Sequence, residues 1–182
     1  VLRLCWTALR GLKLWRGSSH KLCTKRLKQW KYCSCMAKSR SILLLNGPNL
    51  NLLGQREPHI YGSETLSTHV SNAQSAAKDL GFELVAMQSN SSSELVDAIH
   101  AARGVHSAIV INPGAFTHYA WSIHDALSAF DGPVVELHLS NPQRRESWRH
   151  ESVVAPVAVG TIAGFGAEGY SLAIQAVASH LS

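Results

Sequence analysis

Between residues 41 and 182 the chain alternates short continuous apolar runs with stretches whose apolar residues recur every three or four positions. Ile42-Leu43-Leu44-Leu45 is the first run, and it has the character of a strand covered on both faces. Asn46-Gly47-Pro48-Asn49 stops it with turn formers. Leu66 to Leu80 then reads as a helix, capped by Ser63 or Thr65 and closed by Gly81. Phe82 to Gln88 is the second strand and Ser89 to Ser93 a polar loop with a good N-cap. Glu94 to Ala102 is a helix with Leu95, Ile99 and Ala102 on one face, and Ser107 to Ile111 is the third strand. The pattern repeats: Thr117 caps a helix running to Phe130, and Val134 to Leu139 and Val157 to Ala163 are strands four and five. Ala167 to Leu181 is the last helix, with Tyr170, Ala173, Ile174, Val177 and Leu181 on one face. Five strands alternating with helices predict an α/β fold with a parallel sheet and right-handed crossovers. In such sheets small molecules bind beyond the carboxyl ends of the strands. Asn46, Asn112 and His138-Leu139-Ser140 all fall there, so the scheme converges polar groups from strands one, three and four on one crevice.

Composition adds a boundary. With 182 residues, 46% apolar and 16% charged, one domain with a sizeable core is expected. The net charge of +5 averages two unlike pieces. Residues 1 to 40 hold 11 of the 17 lysines and arginines and no acid, leaving 6 basic against 12 acidic side chains in residues 41 to 182, a net of −6. The first 40 residues also contain all four cysteines (Cys5, Cys23, Cys33 and Cys35) and three of the five tryptophans, without a helical or strand period. Three readings compete for this segment: a mitochondrial-type targeting peptide, a basic arm for nucleic acid or membrane, and sequence upstream of the true start. The third is favoured, because Met36-Ala37-Lys38-Ser39-Arg40 is an ordinary start for a protein whose first strand begins at Ser41. Residues 1 to 40 are therefore expected to be a disordered or non-native basic extension, and 41 to 182 the catalytic domain in the cytoplasm. The compartment becomes an organelle if residues 1 to 35 are a genuine transit peptide. No apolar run approaches the ~18 residues of a membrane span, and no nucleic-acid partner is expected for the acidic body.

Read from the residues alone, several polar positions keep two meanings. A lone Asn at a strand end is often a turn former, Tyr61 before Gly62 packs a turn as readily as it does chemistry, and Arg56 is an ordinary solvated loop charge. Longer segments break the tie. NGPNLNLLGQREPHIYG (46 to 62), INPGAFTH (111 to 118) and VELHLSN followed by RRESWRH (135 to 141, 144 to 150) resemble, in order, the three active-site segments of the type II 3-dehydroquinate dehydratases. AGFGAEGYSLAIQAV resembles that family's closing strand and helix, so the likeness covers about residues 41 to 180. It implies a flavodoxin-like three-layer sandwich with strand order 2-1-3-4-5. It also implies a hydro-lyase without cofactor or metal, which converts 3-dehydroquinate to 3-dehydroshikimate by anti elimination through an enolate, in aromatic biosynthesis or in quinate breakdown.

Dehydrating a β-hydroxy ketone takes a base, a holder for the enolate oxygen and an acid for the departing hydroxyl. The resemblance makes Tyr61 the base, Asn112 the enolate partner and His138 the acid. A free phenol has a pKa near ~10 and needs a cation to ionise, and Arg56 on the same loop supplies one. Gly54, Pro58 and Gly62 flank these two residues so that the segment can close as a lid. Glu136, two residues before His138, shares its strand face and can orient the ring. Asn112, His118, Asp125, Leu139, Ser140 and Arg149 match the family's substrate-binding positions, Asn46 is a supporting residue, and the family assembles as dodecamers of four trimers in which Asp125 would reach a neighbour's site. Ser91 to Ser93, His124, Trp148 and Glu151 depart from the family's usual residues, none at a catalytic position.

Rival readings are weaker. His118, His124, His138 and His150 lack metal-ligand spacing. A flavin or nucleotide module lacks its signature, since the first loop has neither successive phosphate-cradling glycines nor a P-loop lysine.

Overall fold

A computed structural model describes residues 40–55 and 63–181 of the chain. Residues 1–39 of the basic extension, and Arg56 and Tyr61 of the expected lid, lie outside the described residues. Five parallel strands run β1 Ser41–Asn46, β2 Glu83–Gln88, β3 Ala108–Asn112, β4 Val134–His138 and β5 Gly160–Ala163. Their order is β2-β1-β3-β4-β5, the predicted one. The helices are α1 Leu66–Asp79, α2 Ser92–Ala102, α3 Trp121–Ser128 and α4 Glu168–Ser179.

The continuous apolar runs are explained by cover on both faces. Along β1, Ile42 and Leu44 join the core under α1 and α4, while Leu43 and Leu45 join the core under α2 and α3. Helix α1 turns His69, Ala73 and Ala77 inward at four-residue spacing, and α4 answers with Tyr170, Ala173, Ile174 and Val177, as read from the sequence. Thr65 caps α1, its hydroxyl accepting from the Thr68 amide at 3.3 Å.

Two expected elements are corrected. Thr117 does not cap a helix to Phe130; Gly114–His118 is a single 3₁₀ stretch and α3 starts only at Trp121. The Thr117 hydroxyl is buried and bonds Glu136 and Ser152 instead, so a tertiary demand overrides its capping preference. The fifth strand is shorter than expected, because Ala155-Pro156-Val157 forms a 3₁₀ turn and pairing starts at Gly160.

Pairing sets the position of the site. Asn46 is in register with Asn112 and also with Gln88, so the carboxyl ends of β2, β1 and β3 lie level. From β1 the chain goes to β2 on one side, then crosses back to β3 on the other, and this reversal of winding is the switch point where α/β sheets open a crevice.

Candidate active site

The first loop is locked to its neighbours by backbone contacts that leave no room for a side chain at Gly47. The Gly47 amide donates to the Asn112 carbonyl at 2.7 Å, and a Cβ there would lie 2.4 Å from the Pro113 oxygen. Asn49 adopts the left-handed conformation at φ 66°, and its amide donates to Asn90 Oδ1 at 2.9 Å. Gln88 Nε2 donates to the Gly47 carbonyl at 3.2 Å and to Asn90 Oδ1 at 3.1 Å. The loop is thereby clamped from β2 as well as β3.

Three walls meet over the strand ends around a partly open cleft lined by apolar and polar groups together. Pro48, Asn49, Leu50 and Leu53 form one wall, Asn112, Gly114, Ala115 and His118 the second, and His138, Leu139, Ser140 and Pro142 the third. Arg145 and Arg149 close the rim and make it positive.

His138 is held from behind. Its Nε2 donates to Glu136 Oε1 at 2.8 Å, which leaves Nδ1 as the ring nitrogen available to a substrate. Glu136 is fully buried among the core residues of β4, and its carboxylate also accepts from Thr117, from Ser152 at 2.9 and 3.0 Å and from Thr161 at 3.3 Å. Burial alone would raise its pKa. The bonds from His138, Thr117 and Ser152, with the charge attraction of His138, more than offset that and hold the carboxyl below its usual range. Ser152 is itself fixed by amides, accepting from Val154 and Ala155 at 3.0 and 2.8 Å.

Arg149 is positioned by the turn that carries it. Its Nε donates to Glu146 Oε2 at 2.8 Å, and its guanidinium lies 3.9 Å from the centre of the Trp148 ring. His118 meets the same ring edge-on at 5.2 Å and donates from Nδ1 to the Glu151 carbonyl at 2.7 Å. Trp148 thus serves as a platform between two cleft residues.

Six of the expected site residues line this cleft together: Asn112, His118, His138, Leu139, Ser140 and Arg149. Glu136 and Asn46 are buried behind it, in supporting places. Asp125 is exposed on α3 and is not brought to this cleft, and Arg56 and Tyr61 fall outside the described residues. Sequence reasoning passed over Arg145, the clamp of Gln88 and Asn90, and the donors Thr117 and Ser152. The Gln-Ser-Asn polar run after β2 was a usable signal for the clamp; Ser152, on an irregular segment, offered none. The four histidines weighed as metal ligands go separate ways, His124 to the Val153 carbonyl and His150 to the Arg145 carbonyl. Among the described residues no three His, Cys, Asp or Glu side chains gather as a metal set.

A switch-point cleft built from strand-end amides, a carboxylate-held histidine and two arginines defines an α/β enzyme of flavodoxin-like architecture that handles a small, oxygen-rich substrate. A family model described as dehydroquinase class II matches residues 40–178. The 3-dehydroquinate dehydratase of Ruegeria pomeroyi is 54% identical over 142 residues, spanning 78% of this chain and 95% of its own. A catabolic 3-dehydroquinase of Aspergillus clavatus is 55% identical over 139 residues, 76% of this chain and 93% of its own. Among solved structures, the type II dehydroquinase of Propionibacterium acnes is 42% identical with a TM-score of 0.74, covering 78% of this chain and 97% of that one. The chain belongs to the type II dehydroquinase family.

Proposed function

We propose that this cleft dehydrates 3-dehydroquinate to 3-dehydroshikimate and water, with His138 delivering the proton to the departing hydroxyl. The observation that carries the reading is the buried Glu136 that fixes His138 in the same cleft as Asn112 and Arg149. Tyr61, kept ionised as a phenolate by Arg56, takes the proton beside the carbonyl, and the electron pair moves onto the carbonyl oxygen. An amide N–H of Asn112 holds that enolate oxygen. Collapse of the enolate expels the hydroxyl, which takes the His138 proton and leaves as water. Arg149 and Ser140 suit the substrate's carboxylate and hydroxyl groups, the guanidinium supplying a fixed fork.

No Schiff base enters this route. Lys78, the one lysine beyond residue 40, is exposed near the end of α1 and does not line the cleft. The test is the absorbance of the conjugated enone when the protein is mixed with 3-dehydroquinate. Enone is expected to form, and to form equally after treatment with substrate plus borohydride. No enone, or inactivation by borohydride, overturns the reading.

The finer assembly belongs to the same proposal: a homododecamer of four trimers, in which Asp125, exposed on α3, serves a neighbour's cleft. Elution as a fully active monomer contradicts it. A chain starting at Met36 is expected to turn over normally, and a large loss of activity would show that the preceding segment belongs to the enzyme. No helix among the described residues is long and apolar enough to cross a membrane. We assign the enzyme to the cytoplasm, which a reporter fused to residues 1 to 40 checks, organellar import being the contrary result.

A further inference from the structure

Behind the cleft a chain of four hydrogen bonds runs from one backbone group to another. Asn46 Nδ2 donates to the Met87 carbonyl at 3.4 Å, and the Tyr170 hydroxyl donates to Asn46 Oδ1 at 2.7 Å. The Tyr170 oxygen in turn accepts from Asn112 Nδ2 at 3.4 Å, while the Gly114 amide donates to Asn112 Oδ1 at 3.4 Å. Both ends have a fixed sense, since a carbonyl can only accept and an amide N–H can only donate. The sense of every link between them is then set. Asn46 must turn its oxygen to the phenol, the phenol's single proton goes to Asn46, and Asn112 must turn its NH₂ to the phenol oxygen.

We infer that Tyr170 is a positioning residue for the reaction, setting the polarity of the Asn112 amide so that its second N–H, and not its carbonyl, is presented to the substrate. Tyr170 is itself fully buried and touches no substrate. Its ring is held in plane by stacking on the buried His69, with centroids 5.2 Å apart and planes 1° apart. Burial pushes the phenol pKa up, so the proton that defines the relay stays on the oxygen through the working pH range. Asn46 and Asn112 are cross-strand partners on the face that α4 covers, so a hydroxyl from α4 is placed to reach both. Without that hydroxyl only the 3.4 Å bond from the Gly114 amide holds Asn112 in this sense, and the turned-over amide, which offers the cleft an acceptor that repels an enolate, becomes accessible.

The inference rests on the reading of Asn112 as the enolate's partner, and a double-mutant cycle separates the two. Kinetics of wild type, Tyr170→Phe, Asn112→Ala and the double variant are compared, with unfolding curves to confirm folding. Tyr170→Phe keeps the ring and its stack. It is expected to lower kcat by about tenfold or more with KM within about threefold, and to cost nothing further in the Asn112→Ala background. A kcat within about threefold of wild type, or the same fractional loss in both backgrounds, overturns the inference. If Asn112→Ala alone leaves kcat unchanged, the reading of Asn112 fails and the inference with it. Should Tyr170→Phe not fold, Asn46→Ala takes its place in the cycle: it frees the phenol proton to turn toward Asn112, and the same non-additive loss is expected, with additivity again overturning the idea.

Discussion

Replacing Glu136 by glutamine is the most informative single change behind the cleft. The carboxylate collects four donors, from His138, Thr117, Ser152 and Thr161, in a fully buried place. Glutamine keeps the shape but offers one acceptor oxygen and one donor NH₂. The three hydroxyls can rotate to accommodate it, whereas the His138 Nε2–H loses its charged partner or the ring changes tautomer. A hydrogen bond to a charged group contributes about 1.5–3 kcal/mol. Losing its upper range in the transition state lowers kcat by about 10²-fold, at about 1.4 kcal/mol per tenfold. Because the folded-state pKa of Glu136 lies below its unfolded value near 4.5, the stability it contributes is fully present above that pH and is lost as pH falls through the folded pKa. The variant is therefore expected to be less stable than wild type by about 2–3 kcal/mol at neutral pH, and the gap closes in acid. Steady-state kinetics and urea unfolding across pH read both effects. A variant within about threefold of wild-type kcat and equally stable at neutral pH would refute the role assigned to this carboxylate.

Tyr61→Phe is expected to cut turnover by about 10²-fold or more while KM stays within about tenfold, and Arg56→Lys to fail similarly for lack of a planar fork; more than about a tenth of wild-type turnover in Tyr61→Phe contradicts the assignment of the base. Gly47→Ala places a methyl 2.4 Å from the Pro113 oxygen and is expected to destabilise by about 1–3 kcal/mol and to lower activity by shifting the loop beside Asn112, checked by thermal unfolding and kinetics; an unchanged protein would show that the loop can give way. His69 makes no hydrogen bond through either ring nitrogen, although Nδ1 lies 3.4 Å from Glu64 Oε2. Burial lowers its pKa despite that carboxylate, so the folded state resists protonation and stability falls as pH drops below the unfolded value of 6.5, levelling off below the folded pKa. His69→Phe keeps the stack on Tyr170 and is expected to flatten this loss, read by urea unfolding between about pH 7.5 and 5.5; equal slopes in the two proteins contradict it.

The fold was legible wherever burial on both faces forces a continuous apolar run, as at Ile42 to Leu45, and wherever one helix face is apolar, as at Tyr170 to Val177. Strand order was not legible from periodicity, and came from the likeness of whole segments. The expectation for Thr117 failed because a good capping side chain was recruited by a buried carboxylate 19 residues away, a demand invisible to local pattern. Val157 to Val159 has the composition of a strand, yet Pro156 and the 3₁₀ turn delay strand pairing to Gly160, with the Val159 amide alone reaching β4 at the Val134 carbonyl, 2.8 Å away. At the site, residues on strand ends could be read, because topology alone converges Asn46, Asn112 and His138. Residues that act through them could not: Tyr170 looked like one more core position, and its distinction is a hydroxyl placed between two amides by pairing across the sheet.

The most direct test of the account is the turnover of 3-dehydroquinate by wild type beside His138→Asn, which keeps a polar side chain but no titratable ring. The wild type is expected to produce the enone, and the variant to lose about 10²-fold or more in kcat with KM within about tenfold, as removal of a general acid requires. A variant that keeps more than about a tenth of wild-type kcat, or a wild type that yields no enone, contradicts it.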